Sequence, residues 1–202
     1  RGAAADYGAR ADAVRAAGRA RGWDAARGVF RDAPHTAADS QEANVLAILV
    51  DAIPAAQQRM LMARLLADTT LTRASYYFSF YLMEALRKAG LADRYIEQLA
   101  PWRTMLSLGL TSPPENPEPT RSDTHAWAAH PNYGLLATVL GIRPLRPGFR
   151  RVRIAPSLGP LRRASGRVPH PDGDIDVDLT RVGEGGLRPE ITPPRGLARV
   201  LQ

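Results

Sequence analysis

Between Pro113 and Trp127 the chain reads PPENPEPTRSDTHAW. Glu115 and Glu118 stand among prolines, and Asp123, His125 and Trp127 follow directly. Carboxylates and imidazoles are the side chains that move protons to and from a substrate, and an indole offers a flat apolar wall. Each residue also has a plain use. Taken by themselves Glu115 and Glu118 read as solvated loop carboxylates, Asp123 as a helix N-cap, and His125 can be a satisfied structural histidine. His130, before Pro131, reads as structural, and Trp102 serves core or site equally well. The four histidines, His35, His125, His130 and His170, include no pair at i, i+4 spacing. His170 and Asp172 lack metal-ligand spacing, so the sequence offers no zinc site.

The elements around this loop can be read from punctuation and period. Residues 3–21 are rich in Ala and Arg and favour helix. Asp39-Ser-Gln-Glu42 has the form of a capping box before the apolar run 45–50. Pro54 suits the first turn of the next helix, with Met60, Leu61, Ala63, Leu65 and Leu66 on its apolar side. A third helix over 73–89 carries Tyr76, Tyr77, Phe78, Phe80 and Tyr81 and ends at Gly90. These aromatics read as packing between hairpins. A fourth helical segment spans 92–108 with Pro101 in its middle. Prolines 113, 114, 117 and 119 forbid regular helix and disfavour a central strand. Ser122 or Asp123 can cap a short helix through His125 and Trp127, and another helix follows Pro131 as far as Gly141. After Pro144 the pattern switches to period two, in RRVRIAP, GRVPHPDGDIDVDLTRV and LRPEITPP, with a tight turn at 171–173. The expected organisation is therefore a helical domain over 1–144 and a small antiparallel β-domain over 145–202.

Composition bounds the rest. The chain has 202 residues, 45% of them apolar, enough for a real core. No apolar run is long enough to cross a membrane, and the first residues lack the apolar core of a signal peptide. This leans towards the cytoplasm over secretion without fixing the compartment. The first residue is Arg, which we read as a missing upstream part. The formal charge is +7, and Lys88 is the lone lysine among 27 basic residues. The arginines are scattered, without the basic stripe and interleaved aromatics of a nucleic-acid surface. Cysteine is absent, so disulfides and thiolate sites are excluded.

The run from Pro101 to Gly166 resembles the C-terminal part of bacterial α-L-rhamnosidases. Its most specific portion is G-x-T-[ST]-x-x-E, here Gly109 to Glu115, followed by TRSDTHAW and His130-Pro131. The upstream stretches GVFRDAPHTAADSQEANVLAIL and ASYYFSFYLMEALRKAGLADRYIEQL are similar to the same family, in the same order. The resemblance implies part of a six-hairpin (α/α)6 toroid followed by a small antiparallel β-sandwich. It implies inverting hydrolysis of terminal α-L-rhamnosyl linkages in a glycoside or polysaccharide, without a cofactor. Glu115 matches the family's general base, and His125 and Trp127 match residues lining the sugar pocket. The sequence departs from the family in three places: Thr124 stands where many relatives have Cys, Ser112-Pro113-Pro114 replaces a Thr followed by an aromatic or small pair, and the stretch with the general acid is unmatched. The family's general acid lies in the first half of the toroid, in a stretch that nothing here matches. The upstream half is thus expected as a partner, and the chain alone is expected to be nearly inactive. Two alternatives stay open: a non-catalytic remnant or carbohydrate-binding module, and another glycosidase on the same toroid.

Overall fold

The computed structural model describes residues 2–33, 35, 36, 38–117, 119–183 and 185–201, the last four by backbone alone. Glu118, read above as a surface carboxylate, lies outside the described residues. The chain forms two compact units, residues 1–91 with 114–123, and residues 92–113 with 124–202.

The first unit is mainly helical. Helix α1 (Gly2–Gly22) buries none of its residues. A two-residue hairpin follows, β1 (Trp23–Asp24) and β2 (Val29–Phe30). Its turn is fastened by the Asp24 carboxylate, which accepts the N–H groups of Ala26 (3.0 Å) and Arg27 (3.1 Å) and the Arg31 guanidinium. Helix α2 (Gln41–Leu49) begins one residue later than the capping-box reading places it. Ser40, not Asp39, is the N-cap, and its Oγ accepts the Ala43 N–H at 3.2 Å. The cap needs an extended backbone, which Ser40 has at φ −121° and ψ 161°. Asp39 is buried and ion-paired with Arg27 instead.

Helix α3 (Ala55–Ala67) starts after Pro54 and buries Gln58, Leu61, Met62 and Leu65. Met60 and Ala63 face outward, contrary to the apolar side expected from sequence. Helix α4 (Ser79–Lys88) is shorter than the expected 73–89. Consecutive aromatics lose side-chain freedom in a helix. Residues 75–78 form a turn instead, held by Ser79 Oγ donating to the Ser75 carbonyl at 2.8 Å. Val45, Ile48, Met62, Leu65, Ala85 and Leu86, contributed by α2, α3 and α4, are the buried centre of this unit. An apolar hollow of about 670 Å³ lies open between α1 and α2, lined by Val14, Leu46 and Val50 among others.

The second unit opens with a 3₁₀ segment, Ala92–Leu99, and helix α5 (Ala100–Ser107). Pro101 falls in the first turn of α5, where its missing N–H has no helical partner to lose. A 3₁₀ turn (Ala126–Ala129), helix α6 (Pro131–Gly134) and a wider π turn (Leu135–Val139) follow. The run ends at Gly141, with φ of 72°. A Cβ there would lie 2.2 Å from the Ala155 backbone, so glycine is required twice over.

The strands form two three-stranded sheets. One has the order β3 (Ile142–Pro144), β4 (Arg151–Ile154), β8 (Ala198–Leu201), and the other β5 (Arg163–Val168), β6 (Ile175–Val182), β7 (Gly186–Thr192). The second sheet is antiparallel throughout, as the alternation predicts. In the first, β3 and β4 are antiparallel but β4 and β8 are parallel, which departs from the expected pattern. Period two puts Ile175, Val177 and Leu179 of β6 on one face. They join Leu140, Ile142, Val152, Ile154 and Leu158 in one buried cluster.

Candidate functional site

The loop from 114 to 123 is a small closed device. Glu115 donates its N–H to the Ser122 carbonyl at 2.9 Å, which ties the loop's two arms together. Thr120 Oγ1 donates to the same carbonyl at 3.0 Å and accepts the Ser122 N–H at 3.3 Å. Pro117 and Pro119 restrict the backbone between those ties. The Glu115 side chain is 6% exposed, unlike an ordinary loop glutamate. Its charge is met by Arg121: Nε donates to Oε2 at 3.0 Å and Nη2 donates to Oε1. This is the fork-to-fork geometry that planar guanidinium and carboxylate groups favour. The hydrogen bond to Glu115, followed by its negative charge, raises the pKa of Arg121. Arg121 itself is 82% exposed. The sequence reading gave Arg121 no role. The signal was there, an opposite charge six residues from Glu115 across a loop pinned by prolines.

His125 and Trp127 belong to the second unit. The Pro113 carbonyl accepts the His125 N–H at 2.9 Å, and Ser112 Oγ and Thr124 Oγ1 lie 3.2 Å apart. His125 occupies the N-cap position of the 3₁₀ turn, the place expected for Ser122 or Asp123, and its own side chain makes no capping hydrogen bond. Its carbonyl accepts the Ala128 N–H at 2.9 Å. Trp127 is 48% exposed, so its indole offers an apolar surface to solvent. Trp102 is different: its Nε1 donates to the Ala128 carbonyl at 2.7 Å, and its ring meets buried His130 edge to face at 5.0 Å. Trp102 and His130 thus hold the 3₁₀ turn that carries Trp127. The His170 side chain is fully engaged, accepting the Asp172 N–H at Nδ1 (3.1 Å) with Nε2 3.0 Å from the Phe149 carbonyl. Among the described residues no cluster of metal-binding side chains occurs, and no helix is long and apolar enough to cross a membrane.

Comparison with known proteins points one way. Residues 141–201 match the bacterial α-L-rhamnosidase C-terminal domain. An α-L-rhamnosidase of Alteromonas sp. (strain LOR) is 28% identical, over 73% of this chain and 18% of its own length. The crystal structure of a GH78 family rhamnosidase of Bacillus sp. GL1 superposes with a TM-score of 0.86 at 27% identity, covering 98% of this chain and 23% of that one. The native α-L-rhamnosidase of Aspergillus terreus shares the fold, with a TM-score of 0.64 at 21% identity over 80% of this chain and 21% of that one. The resemblance read from the motifs is borne out: the chain is related to bacterial α-L-rhamnosidases, which are glycoside hydrolases. It spans about a fifth of the length of these relatives.

Proposed function

We propose that this chain is the portion of an inverting α-L-rhamnosidase that carries the water-activating carboxylate, Glu115, and not the general acid. The observation that supports this best is the state of Glu115. At the position matching the family's base, a loop carboxylate is buried and fixed in orientation by a bidentate ion pair. An inverting glycosidase needs its base ionised and held in place. One carboxylic acid protonates the leaving oxygen, while the opposing carboxylate takes a proton from water on the other face of the sugar. The two stand roughly 6.5–9.5 Å apart. In this reading His125 hydrogen-bonds a sugar hydroxyl, Trp127 walls the sugar, and a rhamnose-containing glycoside or polysaccharide is the substrate. No cofactor takes part.

The same reading makes the helices of 1–144 the later hairpins of an (α/α)6 toroid and residues 145–202 a β-sandwich cap. The family match starting at residue 141 supports that division. The open apolar hollow between α1 and α2 and the share of the relatives' length covered support an upstream half that completes the toroid.

The test is hydrolysis of an aryl α-L-rhamnoside by the natural full-length protein, wild type beside Glu115→Gln, with the first-formed anomer read by NMR. Loss of a positioned base lowers kcat by about 10²–10⁴-fold. The expected product is the inverted anomer. A fully active Glu115→Gln enzyme refutes the assignment of the base. A wild type that binds rhamnose without turnover supports the remnant or binding-module reading instead.

A further inference from the structure

We infer that Arg121 is a positioning residue for the reaction: its guanidinium sets the plane and aim of the Glu115 carboxylate. The inference rests on the reading of Glu115 as the base.

Three features carry it. First, the contact is two-pronged, Nε to Oε2 at 3.0 Å and Nη2 to Oε1. Two parallel donors fix the carboxylate plane, which a single point charge does not. Second, the burial is one-sided. Glu115 is 6% exposed under an arginine that is 82% exposed. Only the guanidinium end is solvated, so this is not the fully exposed kind of ion pair that contributes almost nothing. A buried carboxylate without a partner would carry a heavy desolvation cost. The pair therefore keeps the buried carboxylate charged and fixed in place. Third, the arginine is itself placed. It precedes Ser122, whose carbonyl receives the Glu115 N–H at 2.9 Å and the Thr120 hydroxyl at 3.0 Å. Backbone, hydroxyl and guanidinium thus close the same short loop, with Pro117 and Pro119 stiffening the span between.

The arrangement leaves room for chemistry. A carboxylate has about four lone-pair sites, and the guanidinium takes two of them. The remaining sites can accept a proton from water while the other two hold the group still. A misplacement of roughly 1 Å costs on the order of 100-fold in rate.

The experiment uses the natural full-length protein and an aryl α-L-rhamnoside, comparing wild type, Arg121→Ala, Arg121→Lys, Glu115→Gln and the double variant Arg121→Ala/Glu115→Gln. Arg121→Ala should lose kcat by roughly 100-fold with KM nearly unchanged, since aim is lost and binding is not. Added guanidinium chloride should restore Arg121→Ala saturably and leave the double variant inactive. Arg121→Lys should recover part of the rate. Melting temperatures, read alongside, separate misfolding from misaim. Wild-type kcat in Arg121→Ala overturns the inference while leaving Glu115 as base. So does a loss confined to KM, or a loss that guanidinium does not rescue and that tracks a fallen melting temperature. Full activity in Glu115→Gln with Arg121 intact is a different failure, that of the base assignment itself.

Discussion

Replacing Gly134 by alanine gives a sharp test of the packing of α6 against Tyr95. Gly134 ends α6 in ordinary helical conformation, φ −66° and ψ −31°. On backbone grounds alone Gly134→Ala should stabilise the helix by about 0.5–1 kcal/mol. Packing says the reverse. A Cβ built at Gly134 lies 1.9 Å from Tyr95 Oη, 2.6 Å from Cζ and 2.9 Å from Cε2. Tyr95 is 1% exposed, so its ring has no free volume to retreat into. Overpacking of this kind costs about 1–3 kcal/mol and sometimes more. A contact far inside van der Waals distance belongs at the upper end, so the net loss should be about 2 kcal/mol. For a chain of this size that lowers the melting temperature by roughly 4–8 °C. The assay is thermal unfolding of wild type, Gly134→Ala, Tyr95→Phe and the double variant. Tyr95→Phe removes the 1.9 Å contact but leaves the one at 2.6 Å, so the double variant should recover part of the loss, giving a non-additive pair. A melting temperature for Gly134→Ala equal to or above wild type, or strict additivity with Tyr95→Phe, would refute the packing argument.

The two tryptophans should separate function from stability. Trp127→Ala should lower kcat/KM on an aryl rhamnoside with little change in melting temperature. Trp102→Phe should cost about 1–3 kcal/mol, because the Ala128 carbonyl loses its donor at 2.7 Å; the reverse pattern would exchange their roles. Asp24 makes a pH prediction. The Arg31 hydrogen bond, then the Arg27 backbone N–H, hold its carboxyl below the ordinary 3.8. The folded state thus favours the ionised form, so the stabilisation is full above 3.8 and disappears as pH falls through the lower folded value. The gap in melting temperature between wild type and Asp24→Asn should be present at neutral pH and close in acid. A gap that persists well below 3.8 would contradict this.

Much of the chain was legible because its signals are local. Gly90 and Gly141 end helices at φ of 73° and 72°, as a residue without Cβ at a helix terminus suggests. The alternation through Ile175, Val177 and Leu179 marked the buried face of β6, since successive strand side chains point to opposite sides. The motif ending in Glu115 and the run TRSDTHAW carried the likeness to rhamnosidases without any coordinates. Other features depend on partners that sequence spacing does not reveal. Ser40 rather than Asp39 caps α2, because Arg27 takes the aspartate. Leu61, Met62 and Leu65 turn inward while Met60 turns out, a phase set by what α3 packs against. The parallel pairing of β4 with β8 joins segments more than forty residues apart, beyond the reach of any local period. Above all, the sequence determined that Glu115 sits on a proline-stiffened loop. Only the tertiary structure decided that the carboxylate is buried and gripped by Arg121, because burial and bidentate geometry arise when the loop folds back on itself.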